Sequence, residues 1–253
     1  MQLVAYGAQD IYLTGNPKVT FFQARYQRHT NFAMETIEQT VNGSAGNNGR
    51  LSVSIARNGD LVGEMYCTFE TNPGANLSAL AWQLSAASLA DNVNVATTPT
   101  PLDGCWVAER AVSDIELSIG GQRIDKHYQK WWRLYSELYL DSTKKDNWGA
   151  MTSCGSHVAS TLAAGRQDVV TLPLIFFFNR NPGMYLPLIA LQYHEVRLDI
   201  ELASNFATYF STSGTKVWAN YIYLDTEERR RFSQKGHEYL NEKVQPTGAD
   251  STG

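Results

Sequence analysis

The strongest constraint on this chain is a two-residue hydrophobic alternation that recurs in short runs between turn signals. In residues 22–27, Phe22, Ala24 and Tyr26 would share one face of a strand, and the polar residues between them the other. The further runs of this kind are residues 51–55, 61–69, 114–119, 196–202 and 218–224. Each run predicts a strand that packs on a core, and together they predict an all-β fold.

Turn signals separate the runs. Asn58-Gly59 lies between two alternating runs and predicts a tight hairpin, and Gly120-Gly121 predicts another. Residues 172–178 (LPLIFFF) are apolar on both faces, so we expect a strand or loop that is buried from both sides. Residues 179–183 (NRNPG) follow as a turn.

One segment departs from the β pattern and predicts an amphipathic helix near residues 126–141. The apolar arc of this helix would comprise Tyr128, Trp131, Trp132, Tyr135, Leu138 and Tyr139. The polar arc would comprise Gln129, Lys130, Arg133, Ser136 and Glu137. A tryptophan pair can also stack on sugars or bases, but packing against the core is the favoured interpretation.

Long polar segments separate the strands and are predicted to be loops. They are residues 42–50, 91–103 and 142–166, and residues 244–253 are interpreted as a linker or disordered tail. Many short strands with long loops favour a jelly-roll β-sandwich, in which two antiparallel sheets face each other.

Composition and charge exclude several classes of protein. The net charge of −4 and the pI of about 5.7 argue against a nucleic-acid-binding face, which needs clustered Lys and Arg. Cys67, Cys105 and Cys154 form no disulfide or zinc pattern, which favours reduced thiols in a cytosolic protein. The N-terminus shows no secretory signal, and the longest apolar run, residues 172–178, is far below the roughly 20 residues that span a bilayer.

A search for catalytic motifs yields none. The sequence contains no GxSxG elbow, Walker loop, dinucleotide fingerprint or HExxH spacing, and His194-Glu195 is interpreted as structural. We therefore predict no enzyme activity and no catalytic, cofactor-binding or metal-ligating residues. The charged residues 227–231 (EERRR) are a solvated ion-pair patch or, alternatively, a contact that sets the register between subunits through Arg230.

Three blocks carry a family resemblance, and they occur in the expected order. They are residues 7–35 (GAQDIYLTGNPKVTFFQARYQRHTNFAME), residues 172–201 (LPLIFFFNRNPGMYLPLIALQYHEVRLDIE) and residues 221–240 (YIYLDTEERRRFSQKGHEYL). The chain resembles the major capsid proteins of the nucleocytoplasmic large double-stranded DNA viruses, the group of the algal and giant viruses. The match is to the first of the two jelly rolls found in that family.

The resemblance implies a structural protein of the virion, assembled in the host cytoplasm. Residues 1–243 would be the jelly-roll domain, and three chains would form a homotrimeric capsomer that tiles an icosahedral shell. The implied partners are further copies and neighbouring capsid proteins, without direct contact to nucleic acid. Contacts with minor capsid proteins and with an internal viral membrane stay open.

The chain stops about a dozen residues after the third block, whereas a second jelly roll needs about 150 to 200 more. A partial sequence of a longer capsid protein is the favoured interpretation, and a single-roll relative or a truncated product are the others.

Two other functions stay open on the same fold. One is a lectin-like carbohydrate-binding jelly roll that would use exposed Trp82, Trp106 or Trp148. The other is a scaffold protein that is absent from the mature particle.

Overall fold

The computed structural model describes residues 31–72, 106–153, 169–239, 241 and 243, which form ten strands and five α-helices. The strands are β1 Phe32–Gln39, β2 Val41–Gly43, β3 Arg50–Ser54, β4 Leu61–Glu70, β5 Val112–Ile119, β6 Gln122–Tyr128, β7 Val169–Pro173, β8 Leu186–Pro187, β9 Val196–Leu202 and β10 Lys216–Leu224. The helices are α1 Val107–Ala111, α2 Gln129–Leu138, α3 Ser142–Thr152, α4 Phe206–Tyr209 and α5 Thr226–Gln234, with a short 3-10 helix at Pro182–Met184. The strand predicted at residues 22–27, the loop predicted at 91–103 and the tail predicted at 244–253 lie outside the described residues.

The strands form two antiparallel sheets. Sheet 1 has the order β1-β10-β4-β7, with β8 beside β4, and sheet 2 has the order β2-β3-β9-β5-β6. The chain crosses repeatedly between the sheets, and β10, late in the chain, inserts between β1 and β4. This is the crossing pattern of a jelly roll, and it confirms the predicted all-β jelly-roll sandwich.

The core lies between the two sheets and is built from the alternating residues of both. Leu198 and Ile200 of β9 are buried as the alternation predicts, and Cys67 and Phe69 of β4 face them from sheet 1. Residues 174–178 continue the core beyond β7, which confirms that this apolar run is buried from both sides. Each large side chain buried in this way contributes roughly 1.5–3 kcal/mol to folding.

The hairpin predicted at Asn58-Gly59 is wrong. The preceding strand β3 belongs to sheet 2 and the following strand β4 to sheet 1, so this turn carries the chain from one sheet to the other. A Cβ atom on Gly59 would lie 2.9 Å from the Cβ of Tyr221. The glycine is therefore needed for a close approach between the crossing segment and β10.

The hairpin predicted at Gly120-Gly121 is confirmed. It joins β5 to β6, and both glycines adopt positive φ angles, 61° and 80°. That combination is the one that a two-residue hairpin turn requires.

The predicted amphipathic helix is present as α2, although residues 126–128 belong to β6. Its buried arc is displaced from the predicted one, since Gln129 and Ser136 are buried together with Trp132. Leu138 is 73% exposed, although the apolar arc included it. Gln129 is accommodated because its side-chain amide donates to the carbonyl of Arg110.

Two of the predicted loops contain regular structure. Residues 142–152 of the segment 142–166 form α3, whose N-cap Asp141 accepts a hydrogen bond from the Lys144 amide at 2.9 Å. The segment 42–50 contributes to β2 and to the first residue of β3. Helices α1, α4 and α5 are further elements that the alternation did not indicate.

Candidate assembly surface

A buried carboxylate anchors α5 to sheet 1. Asp60, which follows the crossing turn, accepts hydrogen bonds from the Leu224 amide at 2.8 Å and from Arg229 Nη2 at 3.0 Å. Arg229 Nε also lies 3.0 Å from Asp60 Oδ1, so the guanidinium group engages both carboxylate oxygens. Arg229 is therefore a structural residue that fixes the start of α5.

The neighbouring arginines of α5 have different surroundings. Arg231 lies 4.0 Å from Glu228 on the same helix, and Arg230 is exposed with no ion-pair partner within the described part of the chain. The charged segment 227–231 therefore divides into an inward anchor and an outward charge. Arg230 is the member that remains open to a contact between molecules.

Beneath α5, an apolar cluster occupies part of the outer face of sheet 1. Leu61, Tyr185 and Ile222 are buried there, apart from the main core, and Leu224 and Phe232 pack against them. Phe232 belongs to α5, so the helix covers part of this face.

The apolar surface extends past this cover onto β1. Phe32 lies opposite Leu224 and Met34 opposite Ile222 in the β1–β10 register, so both share the outer face with the cluster. Phe32 is 65% exposed and Met34 is 54% exposed. β1 is the edge of sheet 1 among the described strands, and an apolar strip that continues from a covered cluster onto an edge strand is typical of a protein–protein contact.

A further exposed aromatic side chain, Tyr193, lies on the loop before β9. The Arg57 guanidinium group donates to the carbonyls of Leu191, at 2.6 Å, of Gln192, and of His194, at 3.3 Å. The loop is thus held by hydrogen bonds while Tyr193 at its tip is 93% exposed. An exposed tyrosine on a pre-ordered loop is a favoured anchor residue in interfaces.

The sequence reasoning singled out none of Phe32, Met34 and Tyr193. Phe32, Ala33 and Met34 are all apolar, so the local pattern does not distinguish an inward from an outward residue. The cross-strand partner supplies that information, and it lies almost two hundred positions further along the chain.

The outer face of sheet 2 is polar and forms an open cleft of about 530 Å³. Its charges are paired: Lys126 Nζ of β6 lies 3.0 Å from Asp114 of β5, and Arg197 lies 2.6 Å from Asp199 on the same strand, β9. Arg50 on β3 lies 3.8 Å from Glu201 on β9. The outer face of sheet 2 is therefore stable in contact with water and does not need to be covered.

The two described tryptophans among those proposed for carbohydrate stacking are not displayed as that function requires. Trp148 is buried, with its indole nitrogen donating to Glu109 at 2.6 Å. Trp106 is half-buried under the guanidinium group of Arg133, at 4.1 Å from the ring centre. Trp82 lies outside the described residues. Trp132, from the helix, is fully buried, as the core-packing interpretation predicts.

Cys67 and His127, which are candidates for reactive or metal-binding side chains by residue type, occupy buried structural positions. Burial raises the pKa of the Cys67 thiol to about 12, which keeps it protonated and unreactive. His127 is buried on β6, 3.0 Å from Asp125 and stacked on Phe176. Within residues 31–72, 106–153 and 169–239, no three His, Cys, Asp or Glu side chains lie together as metal ligands, and no helix is long and apolar enough to span a membrane.

Comparisons with known proteins identify the family. The family model described as "Major capsid protein N-terminus" matches residues 20–225. The major capsid protein of Paramecium bursaria Chlorella virus 1 is 44% identical over 99% of this chain and 53% of its own length. That of Pyramimonas orientalis virus is 42% identical over 99% of this chain and 59% of its own length.

Solved structures agree with this result. The PBCV-1 virus capsid superposes with a TM-score of 0.69 at 40% identity, covering 89% of this chain and 50% of that one. The Faustovirus major capsid protein, at 12% identity and a TM-score of 0.56, shares the fold. This chain spans about half the length of the curated relatives that it matches. With 44% identity along its length and the family model over most of it, the chain belongs to the major capsid protein family of large DNA viruses and corresponds to the N-terminal part of its members.

Proposed function

We propose that this chain is a structural component of a viral capsid that self-associates into homotrimeric capsomers, which tile an icosahedral shell. The observation that carries the proposal is the 44% identity to a viral major capsid protein along a jelly roll whose outer face leaves an apolar strip open. A shell protein needs a stiff unit with apolar lateral surface, because association is driven by burial of apolar area.

The chain would act by packing rather than by catalysis, within the virion. Its partners would be further copies and neighbouring capsid proteins. We also propose that residues 1–243 form one jelly-roll domain, the first of two in the longer relatives, followed by a linker at 244–253. The family match over residues 20–225 supports this division.

The test is detection of the native polypeptide in purified source particles with an antibody raised against this chain. We expect an abundant band at roughly twice 28.2 kDa, since the relatives are about twice as long. An abundant band at 28.2 kDa would keep the shell role but remove the two-domain proposal. Absence from mature particles, with presence in infected cells, would instead indicate a scaffold protein and contradict the capsid role.

A further inference from the structure

Three helices pack together against the sandwich and are joined by one buried side chain. Helix α1 contacts both sheets through β4, β5 and β7, α2 contacts β5 and β6, and α3 contacts β7. We call α1, α2 and α3 the helical cap. We propose that the helical cap is a proton-gated latch, which is closed when the Glu109 carboxyl group is protonated and loosened when it is ionised.

The geometry places Glu109 at the junction of the three helices. Its side chain, on α1, is fully buried. Its Oε1 accepts the indole N–H of Trp148 on α3 at 2.6 Å, and it lies 3.8 Å from Arg133 Nη1 on α2. One carboxyl group therefore contacts both other helices of the cap.

The groups around Glu109 stabilise its ionised carboxylate only weakly. The Arg133 guanidinium group stacks on the Trp106 ring and pairs with Glu137 at 3.1 Å, rather than forming a close hydrogen bond to Glu109. Glu109 Oε2 has no hydrogen-bond partner among the described residues. A buried carboxylate oxygen without a donor is costly, and protonation removes that cost.

The charges around Glu109 come from all three helices. Burial raises the pKa of Glu109 to about 7, opposed by Arg133, by the Trp148 hydrogen bond and by Arg110, and assisted by Glu137. Lys145 of α3 pairs with Glu137 at 2.8 Å. The pair of Asp125 and His127 on β6 is a second buried titratable group beside α2.

The direction of the pH effect follows from the raised pKa. Between the ordinary carboxyl pKa of 4.5 and about 7, the closed cap holds a proton that the opened cap releases. Closure is therefore most favourable below pH 4.5 and weakens as the pH rises towards 7, after which it no longer changes. One linked proton changes the opening equilibrium by up to about tenfold per pH unit within this window.

The test is hydrogen exchange of the whole 253-residue chain between pH 5 and 8.5, corrected for the intrinsic pH dependence of exchange. We expect protection of α2 and α3 to fall by about tenfold per pH unit between pH 5 and 7. Peptides from β9, in the centre of sheet 2, serve as the internal reference and should stay level. If the protection of α2 and α3 stays as constant as that of β9 at every pH, the proposal is overturned.

Two matched variants separate Glu109 from the other groups. Glu109→Gln keeps an acceptor for the Trp148 indole but cannot ionise, so the cap should be protected equally at all pH values. Glu137→Gln, which alters the exposed end of the same network, should retain the slope. A slope that persists in Glu109→Gln would mean that another group carries the effect and would overturn the role of Glu109.

A measurement on the unmodified chain keeps the proposal testable if Glu109→Gln does not fold. The Trp148 indole proton, assigned by its loss in Trp148→Phe, should shift with a midpoint near the Glu109 pKa of about 7. A resonance that does not move between pH 5 and 8.5 would contradict the latch. Neither readout depends on assembly, so a failure here leaves the proposed capsid role unaffected.

Discussion

The two outer faces of the sandwich are built on different physical principles. On sheet 2, acids and bases pair across neighbouring strands, as in Lys126 with Asp114. On sheet 1, the outer face is apolar at its α5 end, where it is partly covered by the helix and open at Phe32 and Met34, and polar towards the other end, where Lys216 pairs with Glu38. A face of paired charges is stable in water, whereas an apolar face gains free energy when something covers it. On this difference we base the proposal that the α5 end of sheet 1, rather than sheet 2, is the assembly surface.

The largest expected effect concerns the anchor that holds α5 over sheet 1. In Asp60→Ala, the Leu224 amide and the Arg229 guanidinium group lose their common acceptor in a buried position. We expect the free energy of unfolding, measured by urea denaturation, to fall by about 3 kcal/mol. Asp60→Asn keeps an acceptor for the amide and should lose about half as much. If Asp60→Ala unfolds at the same urea concentration as the parent chain, the anchor is not what holds the helix.

The crossing turn beside Asp60 shows where sequence reasoning failed and why. Alternation correctly identified the inward face of β3 and of β4 from Met65 onwards, and Asn58-Gly59 correctly marked a turn. Leu61, predicted on the same face as Met65, lies instead in the outer cluster, because the β4–β10 register shifts between the two residues. Both a hairpin and a passage between facing sheets join two alternating strands, so the local pattern is the same for either. Whether the turn forms a hairpin or a passage between the sheets depends on pairing with the distant strands β9 and β10, which local sequence does not encode.

The helices illustrate the same limit. The predicted helix α2 exists because its apolar spacing is strong, but its buried arc is shifted towards Gln129 and Ser136 by contacts with other segments. Helix α3 lacks an apolar stripe and is held mainly through its cap at Asp141 and the burial of Trp148. The capping aspartate was a usable signal for the start of α3. The assembly surface had no such signal, since Phe32 and Met34 resemble core residues in sequence.

The next largest effect tests the open apolar strip itself. Phe32→Ser combined with Met34→Ser should leave the fold intact, since both side chains are more than half exposed. We expect self-association, measured by sedimentation velocity, to weaken by about 30-fold, which corresponds to about 2 kcal/mol of lost apolar burial. Val169→Ser is the matched control, because Val169 is 64% exposed on β7 at the opposite side of sheet 1. If Val169→Ser weakens self-association equally, the effect is not specific to the apolar strip on β1.

A smaller effect is expected from the outward charge of α5. Arg230→Glu should weaken self-association by about tenfold, and added salt should reduce the difference, because exposed charges are screened. The monomer should keep its circular dichroism spectrum, since Arg229 and not Arg230 binds Asp60. Arg123→Glu, which reverses an exposed arginine on sheet 2, is the control and should leave association unchanged. Unchanged association of Arg230→Glu would exclude this residue from the contact.

The smallest effect is expected on sheet 2. Asp199→Asn removes the partner of Arg197, but both side chains are about half exposed and belong to the same strand. We expect the free energy of unfolding to change by less than about 1 kcal/mol, because exposed pairs gain little over their separate hydration. The same Asp→Asn change at Asp60 removes a charge that is desolvated and bidentately bound, so urea denaturation of the two variants compares the faces directly. Equal losses in the two variants would mean that the paired charges of sheet 2 matter as much as the buried anchor of sheet 1, and the assignment of assembly to sheet 1 would lose its physical basis.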